Sequence, residues 1–120
     1  MTKEEFFKEF ELLTTSMLDV AKRKNADYTG VGVSPFSNFE RVSQMGICST
    51  EQGFLTRMTD KMSRIASFCA KGELQVKDES VEDTLKDLAN YSILMLLYIK
   101  SKKMELSKNK SIMNLKATKL

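Results

Sequence analysis

Apolar residues recur at helical spacing at the start of the chain. Five of them follow one another at intervals of four and three residues: Phe6, Phe10, Leu13, Met17 and Val20. This spacing places them on one face of a helix and predicts a first helix over residues 3–23. Thr2 is a suitable N-cap, and Glu5, three residues later, completes a capping box.

A connection of about 25 residues follows, in which glycines and a proline interrupt the periodic pattern. We expect one helical turn within it, near residues 38–44, and expect Phe36 and Phe39 to fill the core beneath it. Structureless connections of this length are uncommon in compact domains and are often functional. The segment therefore belongs among the candidate functional regions.

Two further helices are predicted from their capping residues. The second begins at Ser49, whose hydroxyl caps the helix while Gln52 completes a capping box, and ends at Gly72, a residue that tolerates the left-handed conformation. Its apolar face is formed by Phe54, Met58, Met62, Ile65 and Cys69. The third helix starts after Ser80 as N-cap, with Asp83 in an acidic first turn that suits the helix dipole.

Nearly every residue in the run Leu88–Ile99 is apolar, so we expect this helix to be surrounded on most sides by protein. It is then either the central helix of a bundle or part of an oligomer interface, and we expect a homo-oligomer, a dimer or higher. A weak amphipathic pattern after Ser101 predicts a fourth helix that docks on the body or on a second subunit. The predicted fold is all-α, a small bundle of three to four helices, with residues 1–100 as one helical domain and 101–120 as a basic tail or docking helix.

Charge is distributed unevenly along the chain. The net charge is +3, but residues 100–120 hold seven lysines and one glutamate, so the rest of the chain carries −3. Such a tail is usually a solvated terminus, and its functional alternative is contact with nucleic acid or another acidic surface. No aromatic residue lies among these lysines, so the sequence predicts no platform for stacking bases.

The composition excludes several kinds of site. The sequence has no histidine and two cysteines far apart, Cys48 and Cys69, which excludes common zinc sites and mechanisms that need a histidine base. The N-terminal residues do not resemble a signal peptide, and the run Leu88–Ile99 is shorter than the roughly 20 residues of a membrane span. We expect a cytoplasmic protein.

Three polar residues occupy one face of the third helix. Asp83, Asp87 and Asn90 follow one another at intervals of four and three residues, and Glu79 lies just before the cap on the same side. Carboxylates beside a buried face need a compensating cation, either from the protein or from a metal.

The second helix carries a matching polar stripe: Arg57, Asp60 or Lys61, and Arg64. If the two helices form a hairpin about residue 76, the stripes face each other. One interpretation is a pair of ion bridges without a ligand, Arg64 to Asp87 and Lys61 to Asp83. The other is a pocket in which carboxylates bind Mg²⁺ while the basic residues bind phosphates.

The segment KNADYTG, at the end of the first helix, concentrates polar chemistry in Lys24, Asn25, Asp27 and Tyr28. It is either a polar helix end with Asn25 in the left-handed conformation, or one edge of the pocket. In the second case Lys24 reaches phosphate and Tyr28 stacks on a base. Asn38, between two phenylalanines, is placed to contact a base edge.

Four stretches, KNADYTG, PFSNF, RMTDKMSRI and ESVEDTLKDLANY, taken together over residues 24–91, resemble the phage and bacterial family called the nucleotide-modification-associated domain, first type. That family is similar to the all-α nucleoside triphosphate pyrophosphohydrolases, the MazG-like and dUTPase-like superfamily. The resemblance implies an oligomeric helical bundle that binds a nucleotide, with residues 1–100 as the nucleotide-binding domain. In hydrolytic members, Mg²⁺ bound by acidic side chains supports cleavage between the α and β phosphates.

Carried over onto this sequence, the resemblance implies Asp83 and Asp87 as metal-binding and catalytic carboxylates, with Glu79 as a further metal ligand and Asp60 on the earlier helix. The basic residues Lys24, Arg57, Lys61 and Arg64 would bind phosphates. Sugar or base would contact Asn25, Tyr28, Asn38 and Asn90, with Asp27 beside them.

The sequence departs from the hydrolytic pattern, which has a Glu-x-x-Glu pair on the earlier helix, because here Asp60 stands next to Lys61. Three functions therefore stay open. The first is a Mg²⁺-dependent pyrophosphohydrolase that releases nucleoside monophosphate, and the second is a protein that binds or sequesters a nucleotide without turnover. The third is a structural helical protein whose basic tail binds DNA.

Overall fold

The computed structural model describes residues 1–29, 33–72 and 80–118, with the side chains of residues 28 and 29 outside the description. Within these ranges the chain forms four helices and no strand: α1 Lys3–Thr29, α2 Ser37–Gln44, α3 Thr50–Lys71 and α4 Val81–Thr118. The predicted all-α bundle is confirmed, and so is the short helix in the connection.

Capping side chains begin α1 and α3 as predicted. The backbone N–H of Thr2 donates to Glu5 Oε2 at 2.8 Å, and that of Glu5 donates to Thr2 Oγ1 at 3.1 Å. Ser49 and Gln52 form the same reciprocal pair, at 3.0 and 3.1 Å. Gly72 ends α3 with φ of 74°, in the left-handed region that favours glycine.

Substituting Ser49 with alanine is expected to lower the free energy of unfolding by about 1 kcal/mol, because the backbone N–H of Gln52 loses its acceptor, the Ser49 hydroxyl. Urea unfolding followed by circular dichroism measures this change. Ser63→Ala, at an exposed position inside α3, is the matched control and should change stability by less than about 0.5 kcal/mol. Equal losses in the two variants would contradict the capping role.

Two helix boundaries differ from the prediction. α1 continues to Thr29 rather than ending at residue 23, because no glycine or proline interrupts the chain before Gly30. Asn25 is consequently inside the helix, and no described residue other than glycine has a positive φ, so the left-handed cap at Asn25 was wrong. The predicted fourth helix is the continuation of α4, which runs without a breaker to Thr118 and crosses the proposed domain boundary at residue 100.

The core lies where α2, α3 and α4 meet. Phe54 of α3 is 0% exposed and stacks on Phe39 of α2, with 4.1 Å between the ring centroids. Tyr98 of α4 packs against Phe54 at 5.8 Å and receives the ring of Phe36 edge-on at 5.5 Å. Both phenylalanines of the connection therefore pack into the core, as predicted. A Cβ at Gly53 would lie 2.8 Å from Val42 Cγ2, so the glycine allows α2 to approach α3 closely.

The apolar run of α4 is covered by the chain on one side. Tyr98 is buried and Tyr91 and Leu94 pack against the core cluster, whereas Ile93 and Leu97 are exposed. Within the described residues, the expected covering of this run on most sides is therefore not found, and the alternative of an oligomer interface stays a prediction. Among the described residues, no helix has the length and hydropathy needed to cross a membrane.

Candidate functional site

The register between α3 and α4 sets which polar residues meet. Lys61 Nζ lies 3.1 Å from Asp87 Oδ2, so Lys61 of α3 meets Asp87 of α4. The predicted bridge from Lys61 to Asp83 was wrong by one helical turn. Arg64 Nε lies 3.6 Å from Asp60 Oδ2 within α3. The predicted bridge from Arg64 to Asp87 is therefore wrong, and Lys61 pairs with Asp87 instead.

Asp87 is held between two lysines from different helices. Lys24 of α1 approaches Oδ1 at 3.2 Å while Lys61 of α3 approaches Oδ2. The Asp87 side chain is 25% exposed and that of Lys61 is 16% exposed. Burial raises the pKa of the Asp87 carboxyl, but the hydrogen bonds and positive charges of Lys61 and Lys24 together outweigh burial and bring the pKa below its ordinary value. The carboxylate thus ties α1 and α3 to α4.

A lowered pKa makes the ionised form of Asp87 stabilising in the folded state. Its contribution should be complete above the unfolded-state pKa of about 3.9 and should disappear as the pH falls through the lower folded-state value. Urea unfolding of the parent chain and of Asp87→Asn, compared from neutral to acidic pH, measures this contribution. The difference in stability should narrow below about pH 4, and a difference independent of pH would contradict the ion pairs.

The Lys24–Asp87 pair lies beside a cavity of about 140 Å³. Side chains of all four helices and of the connection between α1 and α2 line it: Ala21, Lys24, Asn25, Pro35, Asn38, Phe39, Arg57, Asp87, Asn90, Tyr91 and Leu94. The cavity therefore combines cationic and amide groups with an apolar wall.

The wall and the connection are held by specific contacts. The guanidinium carbon of Arg57 lies 4.8 Å from the centroid of the Phe39 ring, a cation–π geometry that fixes the arginine head beside the cavity. The Nδ2 of Asn25 donates to the carbonyl oxygen of Pro35 at 2.8 Å, which fastens the end of the connection to α1. Asn25 is therefore a positioning residue for this wall.

Six residues singled out from the sequence meet around this cavity: Lys24, Asn25, Asn38, Arg57, Asp87 and Asn90. Lys61 joins them through its bond to Asp87. Asp60, Arg64, Asp83 and Asp27 do not line the cavity, and Asp60, Asp83 and Asp27 are exposed. The side chain of Tyr28 and the whole of Glu79 lie outside the described residues.

Sequence reasoning missed several lining residues. Tyr91 and Leu94 lie four and seven residues after Asp87, so the helical period that grouped the polar residues also carries this signal. Ala21 and Pro35 have no comparable signal in the sequence. Phe39 was assigned to the core, and it contributes both to the core and to the cavity wall.

The described side chains do not form a metal-binding cluster. Within residues 1–29, 33–72 and 80–118, no group of three or more acidic or cysteine side chains is placed to hold a metal ion. Among the described residues the cavity is lined by one carboxylate, Asp87, which is already paired with two ammonium groups. Mg²⁺ is usually bound by one or two carboxylates together with waters and substrate phosphates, so a Mg²⁺ site at Asp60, Asp83, Asp87 or Glu79 stays a prediction.

Comparison with known proteins identifies a family over part of the chain. No match was found among curated proteins or among solved structures. Residues 49–99 match the model of a family described as Nucleotide modification associated domain 1. The match contains the stretches around Arg57 and Asp87 and excludes those around Lys24 and Asn38. Over residues 49–99 the chain is similar to the Nucleotide modification associated domain 1 family.

Proposed function

We propose that the cavity beside Asp87 binds the phosphates of a nucleotide. The observation that carries the proposal is the convergence of three cations from two helices: Lys24 of α1 and Lys61 of α3 both pair with Asp87, and Arg57 of α3 lines the same cavity. Two lysines that share one carboxylate, together with Arg57 at the cavity, leave a local excess of two positive charges. Such an excess favours a polyanionic ligand.

Arg57 is suited to make the first contact with phosphate. Arg57 lines the cavity, and its guanidinium group lies over the Phe39 ring. Within the described part of the chain this guanidinium makes no ion pair. A guanidinium presents paired N–H groups that match phosphate oxygens, and it is less strongly hydrated than an ammonium. It therefore binds phosphate without first breaking an existing ion pair.

The amide groups offer contacts for the remainder of the nucleotide. Asn38 and Asn90 line the same cavity as Arg57, and an amide donates to and accepts from base edges or sugar hydroxyls. The cavity, at about 140 Å³, is smaller than typical ligand sites of roughly 300 Å³ or more. A nucleotide would therefore insert only part of its length and leave the rest over the rim.

Binding is better supported than hydrolysis. The cations favour phosphate, whereas the acids expected to bind Mg²⁺ do not converge within the described residues. Pyrophosphohydrolysis, which the family resemblance implies, is therefore an activity to be measured alongside binding. In this proposal Mg²⁺ binds to the phosphates of the ligand and not to a site formed by protein carboxylates.

The test is a panel of ribo- and deoxyribonucleoside mono-, di- and triphosphates, titrated calorimetrically with and without Mg²⁺, with pyrophosphate release measured in parallel. We expect affinity to increase with the number of phosphates. Binding without release selects the nucleotide-binding function, and release that requires Mg²⁺ selects the hydrolase. No heat and no thermal stabilisation with any member of the panel would contradict the proposal.

Arg57→Gln is expected to weaken triphosphate binding by about tenfold to 100-fold, because a charge-assisted hydrogen bond to phosphate contributes about 1.5–3 kcal/mol. Calorimetric titration with the tightest nucleotide of the panel measures the loss. Arg41→Gln removes the same charge from an exposed position of α2 that does not line the cavity. Equal weakening in both variants would indicate a general effect of net charge and contradict the assignment of Arg57.

A further inference from the structure

The second half of α4 extends beyond the packed body of the chain. Tyr98 is the last buried residue of this helix, and every residue from 99 to 118 is exposed. A helix docked along one side buries about one residue in each turn, so no face of this part is covered within the described residues. We call residues 99–118 the distal segment, which is about 30 Å long. The expected docking of a fourth helix on the body is therefore not found.

The distal segment concentrates positive charge. It contains six lysines and one glutamate, a net +5, so the rest of the chain carries −2. Lys102 pairs with Glu105 at 3.4 Å, and its Nζ lies 5.4 Å from the centroid of the Tyr98 ring. The other five lysines make no ion pair within the described part of the chain: Lys100, Lys103, Lys108, Lys110 and Lys116. Their charge is therefore available to a polyanionic partner.

The lysines of the distal segment surround the helix and do not share one face. At about 100° per residue, the six positions leave no gap wider than about 80° around the helix axis. The apolar residues are divided in the same way, because Met104 and Leu115 lie on the side opposite Leu106 and Met113. A helix that lies on a membrane surface has one apolar face and one polar face. The distal segment has no such division, so its pattern disfavours a lipid surface.

We propose that the distal segment binds double-stranded DNA by inserting into the major groove. This groove is about 12 Å wide and admits one α-helix between the two phosphate backbones. Lysines around the whole helix then reach phosphates of both strands, whereas a flat anionic surface would leave the lysines on the far side unpaired. Single strands are bound largely by stacking on aromatic side chains, which the distal segment lacks. An RNA duplex has a deep, narrow major groove, which does not admit the helix.

The structure adds an observation to the charge run in the sequence, which also fits a solvated terminus. That observation is a continuous helix, uncovered by the described residues, with lysines around its circumference. The distal segment has no arginine, and lysine contacts to phosphate carry no sequence information, so DNA binding should be independent of sequence. The proposal concerns a surface separate from the cavity beside Asp87 and does not depend on nucleotide binding there.

Fluorescence anisotropy of a labelled DNA duplex of random sequence, titrated with the full chain at several NaCl concentrations, tests the proposal. We expect a dissociation constant of about 1–100 μM near physiological salt. The logarithm of the association constant should fall against the logarithm of the salt concentration with a slope of about −3 to −5, because each neutralised phosphate contributes about −0.9. An absence of binding at low salt would overturn the proposal.

Lys110→Gln combined with Lys116→Gln should weaken duplex binding by about tenfold or more and reduce the size of the salt slope by about two. The matched control combines Lys3→Gln with Lys8→Gln, which removes the same charge from exposed positions of α1. Far-ultraviolet circular dichroism confirms that both double variants are helical. Equal weakening in the two would indicate a general effect of net charge and overturn the distal segment as the DNA-binding surface.

Single substitutions on opposite sides of the helix test the insertion into the groove. Lys108 and Lys110 lie about 160° apart around the helix axis, so Lys108→Gln and Lys110→Gln should each reduce the size of the slope by about one. A reduction in only one of them would indicate a one-sided surface and overturn the insertion. Tighter binding of a single strand, of an RNA duplex or of phosphatidylserine vesicles than of the DNA duplex would overturn the choice of partner.

Discussion

Phe54→Ala is expected to lower the free energy of unfolding by about 3–5 kcal/mol, the largest of the stability effects that we predict. Phe54 is fully buried and contacts the rings of both Phe39 and Tyr98. Removing it leaves a cavity at the point where α2, α3 and α4 meet. Few other side chains are buried, so the surrounding structure offers little to fill the space.

Chemical unfolding of Phe54→Ala beside Phe7→Ala measures the effect. Phe7 is 67% exposed, so the same truncation there should cost less than about 0.5 kcal/mol. If Phe54→Ala is unfolded without denaturant, the smaller truncation Phe54→Leu takes its place. Heteronuclear spectra of Phe54→Leu then show how much native structure remains. A loss at Phe54 no larger than that at Phe7 would contradict the core as described.

Asp87→Asn is expected to tighten triphosphate binding, by about tenfold or more. In the parent chain the Asp87 carboxylate forms ion pairs with Lys24 and Lys61, and its negative charge repels an incoming phosphate. The amide removes the repulsion and frees both ammonium groups while keeping a similar shape. At an effective dielectric constant near 20, one charge at a few ångströms contributes more than the 1.4 kcal/mol of a tenfold change.

The matched control is Asp83→Asn, because Asp83 lies one turn earlier on α4, is exposed and does not line the cavity. This variant should bind triphosphate like the parent chain. The metal-dependent interpretation predicts a different pattern, in which both substitutions abolish Mg²⁺-dependent pyrophosphate release. Calorimetry and the release assay on the same two variants therefore separate the two functions.

Helix boundaries with a local cause could be predicted from the sequence. Ser49 with Gln52, Thr2 with Glu5, and Gly72 each act within a few residues, and all three signals correspond to observed caps. The end of α1 was placed too early because polar residues after Arg23 were interpreted as a terminus. Nothing in that stretch prevents a helix, so α1 continues to Thr29.

Pairing between helices could not be predicted to the required precision. The periodicity of α4 places Asp83 and Asp87 on one face, but the turn between α3 and α4 determines which of them meets Lys61. Lys61 was expected to pair with Asp83 and pairs with Asp87, one helical turn later on α4. The involvement of Lys24 in the same ion-pair network depends on the crossing of α1 over α4, for which the sequence contains no periodic signal.

The sequence also could not predict which apolar side chains of α4 are exposed. The apolar run of α4 predicts burial, and a sequence cannot state whether the chain itself or a second copy covers each face. Tyr98 is buried and Leu97, its neighbour, is 48% exposed, although both are apolar. The family match over residues 49–99 covers Arg57 and Asp87 but not Lys24, so part of the proposed site lies outside the matched region.

The most direct measurement is a crystal structure of the chain with a non-hydrolysable nucleoside triphosphate and Mg²⁺. The proposed function predicts phosphate oxygens within hydrogen-bond distance of Arg57 and of Lys24 or Lys61, with Asp87 displaced from at least one lysine. A nucleotide bound elsewhere, or a triphosphate held through Mg²⁺ by Asp83 and Asp60 with the Asp87 pairs intact, would contradict it.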